Sequence, residues 1–324
     1  MRQAGEARNR ALPPSGVSGA GTAGSRTRDT PGENGEVTQR WGLALYVLLC
    51  LIWGSTWLVI KVGYGGLGPF NVAGLRFLIA GALMAAVARF TGARWPRGRA
   101  EWTAIGVVGL LMFAGDYGLI YWAEQSIESG LTAVLFATLP LMTLFVGRAY
   151  LPGERITPRK LASSVLALAG TVALFADRLR LDAGAVAPML GVLGATLCAA
   201  VASVVGKRDA HDIPSATLNA TSMLIGAAIL LVVSLAAGDG IRVPADMGTW
   251  AAVGYLSLVG SVLAFLIYFE LLKTWNVMSL SFISVFTPVI ALLLGFVFLH
   301  EPLTPWKVGG AVLILVAVVF ANRT

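Results

Sequence analysis

The chain has 324 residues, 56% hydrophobic and only 13% charged, with a mean hydropathy of +0.76. A soluble domain carries roughly a quarter charged residues, so this composition excludes an ordinary globular enzyme and predicts an all-α polytopic membrane protein. The net charge of +7 does not call for nucleic acid: the basic residues cluster around apolar stretches, where they set topology and face lipid headgroups.

In chain order, residues 1–40 are rich in Gly, Ser, Thr, Arg and Pro and hold no apolar run. They read as a disordered cytoplasmic tail, since a signal peptide needs an apolar core of roughly 7–15 residues. Ten apolar stretches follow, at about 42–62, 69–89, 102–122, 129–150, 161–176, 186–206, 215–236, 250–272, 278–299 and 306–322. A spanning helix needs roughly 20 mainly apolar residues, and the fifth and tenth stretches are short by that measure. Trp53 and Trp57 sit one turn apart in the first stretch. Arg76 lies in the second, and Asp116, Tyr117, Tyr121 and Glu124 follow one another along the third. Pro140 is central to the fourth, which leads into the run Gly153-Glu154-Arg155-Ile156-Thr157-Pro158. Tyr268 and Glu270 end the eighth, and Pro288 is central to the ninth, which leads into His300-Glu301-Pro302-Leu303-Thr304-Pro305.

The plan is stated twice. Tyr268 answers Tyr121 and Glu301 answers Glu154, about 147 residues apart, and Pro288 answers Pro140 at nearly the same interval. Lys/Arg asymmetry sets the orientation: with a cytoplasmic N-terminus, 18 basic residues fall on the inner side and five on the outer. Both termini are then cytoplasmic. Each half holds five spans, an odd number, so the second half enters the membrane from the opposite side. The expectation is two inverted five-helix repeats, residues 41–177 and 185–322, with a binding site near the midplane that rocking exposes to either side.

These residues resemble the drug/metabolite transporter superfamily, in particular proteins with two EamA-type domains. The resemblance is carried by Trp53-Gly54-Ser55-Thr56, Leu75-Arg76-Phe77, Ser129-Gly130-Leu131 leading to Pro140, Gly153-Glu154, Thr287-Pro288 and Glu301-Pro302-Leu303-Thr304. It covers about residues 44–322. The second half departs from the pattern: Val201-Ala202-Ser203 stands where a Trp-Gly-Ser element is expected, and no arginine answers Arg76. The resemblance implies a ten-helix carrier of the inner (plasma) membrane, often an exporter of amino acids or other small metabolites. It also implies a central cavity lined by the third, fourth, eighth and ninth helices, with the first and sixth.

Charges inside spans are costly and are functional candidates by default. Counting from the outer ends of their spans, Arg76 and Asp116 lie at matching depths of roughly 10 and 9 Å at ~1.5 Å per residue. They are expected to face each other or a shared polar cavity. A structural ion pair, a substrate-binding charge pair and proton coupling at Asp116 compete as roles. Trp53, Tyr117, Tyr121, Glu124 and Tyr268 are candidates for holding an amphipathic solute, with packing or interfacial placement as the alternative. Pro140 and Pro288 predict helix kinks; Glu154 and Glu301 predict capping and loop-locking before the next helix.

Cys50 and Cys198 read as packing thiols and the two histidines as loop residues, so neither a metal nor a cofactor is expected. No phosphate-binding loop, nucleophile elbow or His-Glu-x-x-His motif occurs in the sequence, so the chain is not read as an enzyme. The leading function is secondary-active, proton-coupled export of a small molecule; a lipid-headgroup flippase or a membrane scaffold or sensor are the alternatives. The expected partners are a small solute, protons and the bilayer. Removing residues 1–38 should leave solute flux in reconstituted vesicles intact; lost flux from a correctly inserted truncation would contradict the reading of the tail.

Overall fold

The structure is a computed structural model that describes residues 33–176, 183–299 and 303–322. Most of the expected tail, Glu301, and Arg178 and Arg180, expected on the outer side, lie outside the described residues, as does the side chain of Trp57.

Every described regular element is helical. α1 spans Glu33–Gly63 and α2 Pro69–Phe90. The third apolar stretch is one rod built from α3 (Arg99–Val108), a π-helical segment (Gly109–Asp116) and α4 (Tyr117–Ala123). The fourth divides into α5 (Ser129–Phe136) and α6 (Leu139–Tyr150). Then come α7 (Pro158–Phe175), α8 (Val186–Asp209) and α9 (Ser215–Ala236). The eighth stretch repeats the design of the third, with α10 (Met247–Ser257), a second π segment (Leu258–Leu263) and α11 (Ala264–Thr274). α12 (Val277–Ser281), α13 (Ile283–Leu299) and α14 (Pro305–Asn322) complete the chain. Among the described residues, six helical rods are long and apolar enough to cross a membrane: Pro69–Phe90, Arg99–Ala123, Ser129–Tyr150, Val186–Asp209, Ser215–Ala236 and Met247–Thr274. One expectation needs correction. α1 is already helical at Glu33, because a helix nucleated by the apolar stretch gains a backbone bond for each residue added.

Local signals explain where the helices begin and end. Pro69 and Pro158 stand in the first turns of α2 and α7, where a missing N–H costs nothing. Thr157 caps α7 by accepting the Lys160 amide at 3.2 Å, and Thr304 stands in the same relation to Lys307 at the start of α14, at 3.4 Å. Asp246 caps α10, and bonds from the Thr249 hydroxyl and amide hold its carboxyl below the usual carboxylate range. α2 and α9 close alike. Gly92 (φ 64°) and Gly238 (φ 85°) take left-handed conformations that only glycine adopts freely, and the amide of the next residue reaches back over the turn. Those amides, of Ala93 and Asp239, bond the carbonyls of Ala88 at 2.9 Å and Ser234 at 3.1 Å.

Two helix pairs pack most closely, each through small residues, as helices do where lipid competes for the same apolar surface. Gly74 of α2 faces Leu231 of α9 and Gly81 faces Leu224, so the two helices run antiparallel. Gly170 of α7 and Gly310 of α14 bring two backbones together. A methyl group added at Gly310 would lie 2.5 Å from the Gly170 carbonyl oxygen and 2.6 Å from the Leu174 nitrogen, whereas one added at Gly309 meets nothing within 4 Å. Gly310→Ala should therefore lower the melting temperature in detergent, at a cost of about 1–3 kcal/mol. Gly309→Ala should leave it unchanged or raise it slightly. Equal melting of the two variants would contradict this packing.

Candidate functional site

Arg76 is fully buried, and its donors go to the second half of the chain and to Tyr121. Nε donates to Ser261 Oγ at 2.8 Å, Nη2 to the Gly260 carbonyl at 3.1 Å and Nη1 to the Tyr121 hydroxyl at 3.2 Å. The acceptors exist because Gly260 and Ser261 sit in the second π segment, where the helical ladder is locally rearranged. Ser261 Oγ in turn donates to the Leu256 carbonyl five residues back, at 2.9 Å, and Trp53 Nε1 shares the Gly260 carbonyl at 3.3 Å. The guanidinium also lies against the rings of Tyr117 and Phe77, at 4.8 and 5.2 Å. Among the described residues no ion pair joins Arg76 to Asp116, so this geometry does not hold the two as a structural pair. Their common neighbour is Tyr117, adjacent to Asp116 in sequence and stacked on Arg76.

Asp116 ends the first π segment and is 4% exposed, and its Oδ1 has no hydrogen-bond partner among the described residues. It lines a cavity of about 90 Å³, where one water needs roughly 10–15 Å³. The wall draws on α1 (Trp53, Thr56), the third stretch (Asp116, Tyr117), the junction of α5 and α6 (Phe136, Leu139), α8 (Ser203), α11 (Phe265, Tyr268) and α12–α13 (Ser281, Thr287). These are the six segments that the resemblance implies. Of the sequence candidates, Trp53, Asp116, Tyr117 and Tyr268 meet at this cavity. Arg76 and Tyr121 sit behind it, and Glu124 is buried but is not part of the wall.

The hinge and loop candidates resolve differently from one another. Pro140 does not kink a continuous helix: the fourth stretch breaks after Phe136, and Pro140 stands in the first turn of α6. Pro288 does lie inside α13, and the Ser284 carbonyl, whose partner it removes, accepts the Thr287 hydroxyl at 3.2 Å. Glu154 is not the cap of α7, a place taken by Thr157. It pairs with Lys160 and accepts Asn276 Nδ2 at 3.3 Å, tying its loop to the start of α12. Sequence reasoning missed Phe265 and the hydroxyls of Ser203, Ser281, Ser284 and Thr287. The last three recur every three residues on one face, a signal that was there to find.

The profile described as the EamA-like transporter family matches residues 40–176 and again 187–323. The chain is 32% identical over 253 residues to the "Uncharacterized inner membrane transporter YedA" of Escherichia coli (strain K12), spanning 78% of this chain and 80% of that protein. It is 29% identical over 272 residues to the "Uncharacterized transporter YoaV" of Bacillus subtilis (strain 168), spanning 83% and 92%. It is 28% identical over 285 residues to the "Probable amino-acid metabolite efflux pump" of Salmonella typhimurium, spanning 84% and 91%. A crystal structure of a protein 23% identical superposes with a TM-score of 0.74 over 87% of this chain and 96% of that one, which is a likeness of fold.

Arg76→Met would remove three charge-assisted hydrogen bonds, to Ser261 Oγ, the Gly260 carbonyl and the Tyr121 hydroxyl, at about 1.5–3 kcal/mol for each bond lost. A lower melting temperature is expected, with only partial recovery in Arg76→Lys because an ammonium does not reproduce the guanidinium fork. Unchanged melting of Arg76→Met would contradict the structural weight given to these contacts.

Proposed function

The chain belongs to the EamA-like transporter family, and from that footing we propose that this membrane transporter is a secondary-active exporter of a small organic solute. It works by alternating access, with Asp116 as the coupling carboxylate. The observation that carries this reading is a nearly fully buried acidic side chain, lining a central cavity, with an oxygen that none of the described residues engages. Intramembrane carboxylates of that kind mark ion and substrate pathways. A proton can occupy Asp116 in one access state and leave it when solute enters, which links the two fluxes.

The architecture that goes with this is ten membrane helices in two inverted repeats, residues 41–177 and 185–322, with both termini cytoplasmic and the protein in the inner membrane. Support comes from the double family match and from the excess of basic residues on one side. The antiparallel packing of α2 on α9, equivalent helices of the two halves, is what an inverted pair related by an axis in the membrane plane requires. The inner-membrane and efflux descriptions of two relatives point the same way.

The test is proton-driven flux in proteoliposomes. Asp116→Asn should abolish the stimulation by a pH gradient while the protein keeps its melting temperature, because the amide preserves shape and cannot exchange a proton. Undiminished gradient-driven export by that variant would remove Asp116 from the coupling mechanism.

A further inference from the structure

The positions of hydroxyl hydrogens limit what the cavity offers a solute. A hydroxyl has one hydrogen to donate and two lone pairs to accept with. Thr56 donates to the Trp53 carbonyl at 2.8 Å, Ser281 to Met278 at 2.6 Å, Ser284 to Ser281 at 2.9 Å and Thr287 to Ser284 at 3.2 Å. Each hydrogen is thus turned back onto its own helix, as serine and threonine do in helix interiors. Ser203 donates to the Ala199 carbonyl at 2.7 Å, so in its 2.7 Å contact with Tyr268 it accepts and the phenol donates. The Trp53 N–H is held by Gly260. What these groups turn toward the cavity is lone pairs. Tyr117 is the one lining hydroxyl whose hydrogen has no acceptor among the described residues.

Charge and shape lead the same way. Asp116 is the charged side chain of the cavity wall, and Arg76 is fully buried outside it, with three of its N–H groups bonded to Ser261, Gly260 and Tyr121. The remaining wall is apolar, partly aliphatic (Ile60, Met112, Ile120, Leu139, Leu280, Ile283) and partly aromatic. Trp53 lies 5.3 Å from Phe265 and 5.5 Å from Tyr268 between ring centroids, and Tyr117 lies 6.1 Å from Phe265. Rings grouped this closely attract a cation through their faces. A carboxylate or other pure acceptor would meet lone pairs, one carboxylate and the single free hydroxyl hydrogen of Tyr117, and would be desolvated with little compensation.

We propose that the cavity selects a primary or secondary organic ammonium ion with an apolar body, and discriminates against a zwitterion of the same shape. Its N–H groups meet Asp116 and the hydroxyl lone pairs, while its apolar part lies against the four rings. This inference rests on the transport reading above and narrows it from amino acids toward amines.

Three near-isosteric probes test it on the purified full-length protein in nanodiscs: 2-phenylethylamine, L-phenylalanine and 2-phenylethanol, by titration calorimetry, with counterflow of each in proteoliposomes. The amine should bind at least about tenfold more tightly than either of the others, the margin of a charge-assisted hydrogen bond. Asp116→Asn should bring the amine down to the level of the alcohol, and Asp116→Glu should keep the preference. L-phenylalanine binding as tightly as the amine, or an amine preference that survives Asp116→Asn, would overturn the inference and leave the cavity a solute site. No saturable binding and no counterflow with any of the three would overturn both this inference and the transport-site reading.

Discussion

A guanidinium enclosed among apolar helices must have its donors met by protein, because the hydrocarbon around the bundle offers none. The rest of the site depends on how Arg76 satisfies that constraint. A carboxylate partner would be the simple solution, and Asp116 is nearby. The chain instead turns Arg76 to a backbone carbonyl and a serine hydroxyl at a π turn in its second half. This joins α2 to the eighth stretch and orients Trp53 through the shared Gly260 carbonyl. It also leaves Asp116 uncommitted at the cavity.

The scaffold is repeated, and the chemistry is not. Both halves insert a π segment into corresponding rods, and a Thr-Pro pair starts both α7 and α14. α2 and α9 close with the same glycine turn. Yet the first π segment ends on Asp116 and the second on Leu263, so one carboxylate stands where two-fold repetition would have given two. The arginine likewise occurs in α2 alone. Two of its three acceptors come from the half that lacks it, so the two repeats meet through groups that differ between them.

Much of the fold is legible in the sequence, because lipid imposes a length and polarity rule that hydropathy reads directly. The segments drawn from composition agree with the helices to within a few residues, save for the early start of α1. The π segments were hidden, since Gly-Leu-Leu-Met-Phe-Ala-Gly-Asp is as apolar and as helix-compatible as its flanks. That concealed the partners of Arg76: span counting put Arg76 and Asp116 at matching depths but carries no information on the rotation of their helices. Pro140 misled for a similar reason, because a proline at mid-stretch suits a kink and a helix restart equally well. The cavity hydroxyls were readable as a three-residue repeat, but their donor directions follow only from coordinates.

The central claim is that Arg76 is committed to the scaffold while Asp116 remains chemically available at the cavity. Reaction of the membrane-embedded protein with dicyclohexylcarbodiimide, which attacks protonated carboxyls in apolar surroundings, tests it directly when the adducts are mapped by peptide mass. In mildly acidic buffer an adduct on Asp116 is expected, and it should be suppressed by saturating 2-phenylethylamine. A fully unmodified Asp116 in wild-type protein that becomes reactive in Arg76→Met would contradict the account, because it would mean that the arginine holds the carboxylate after all.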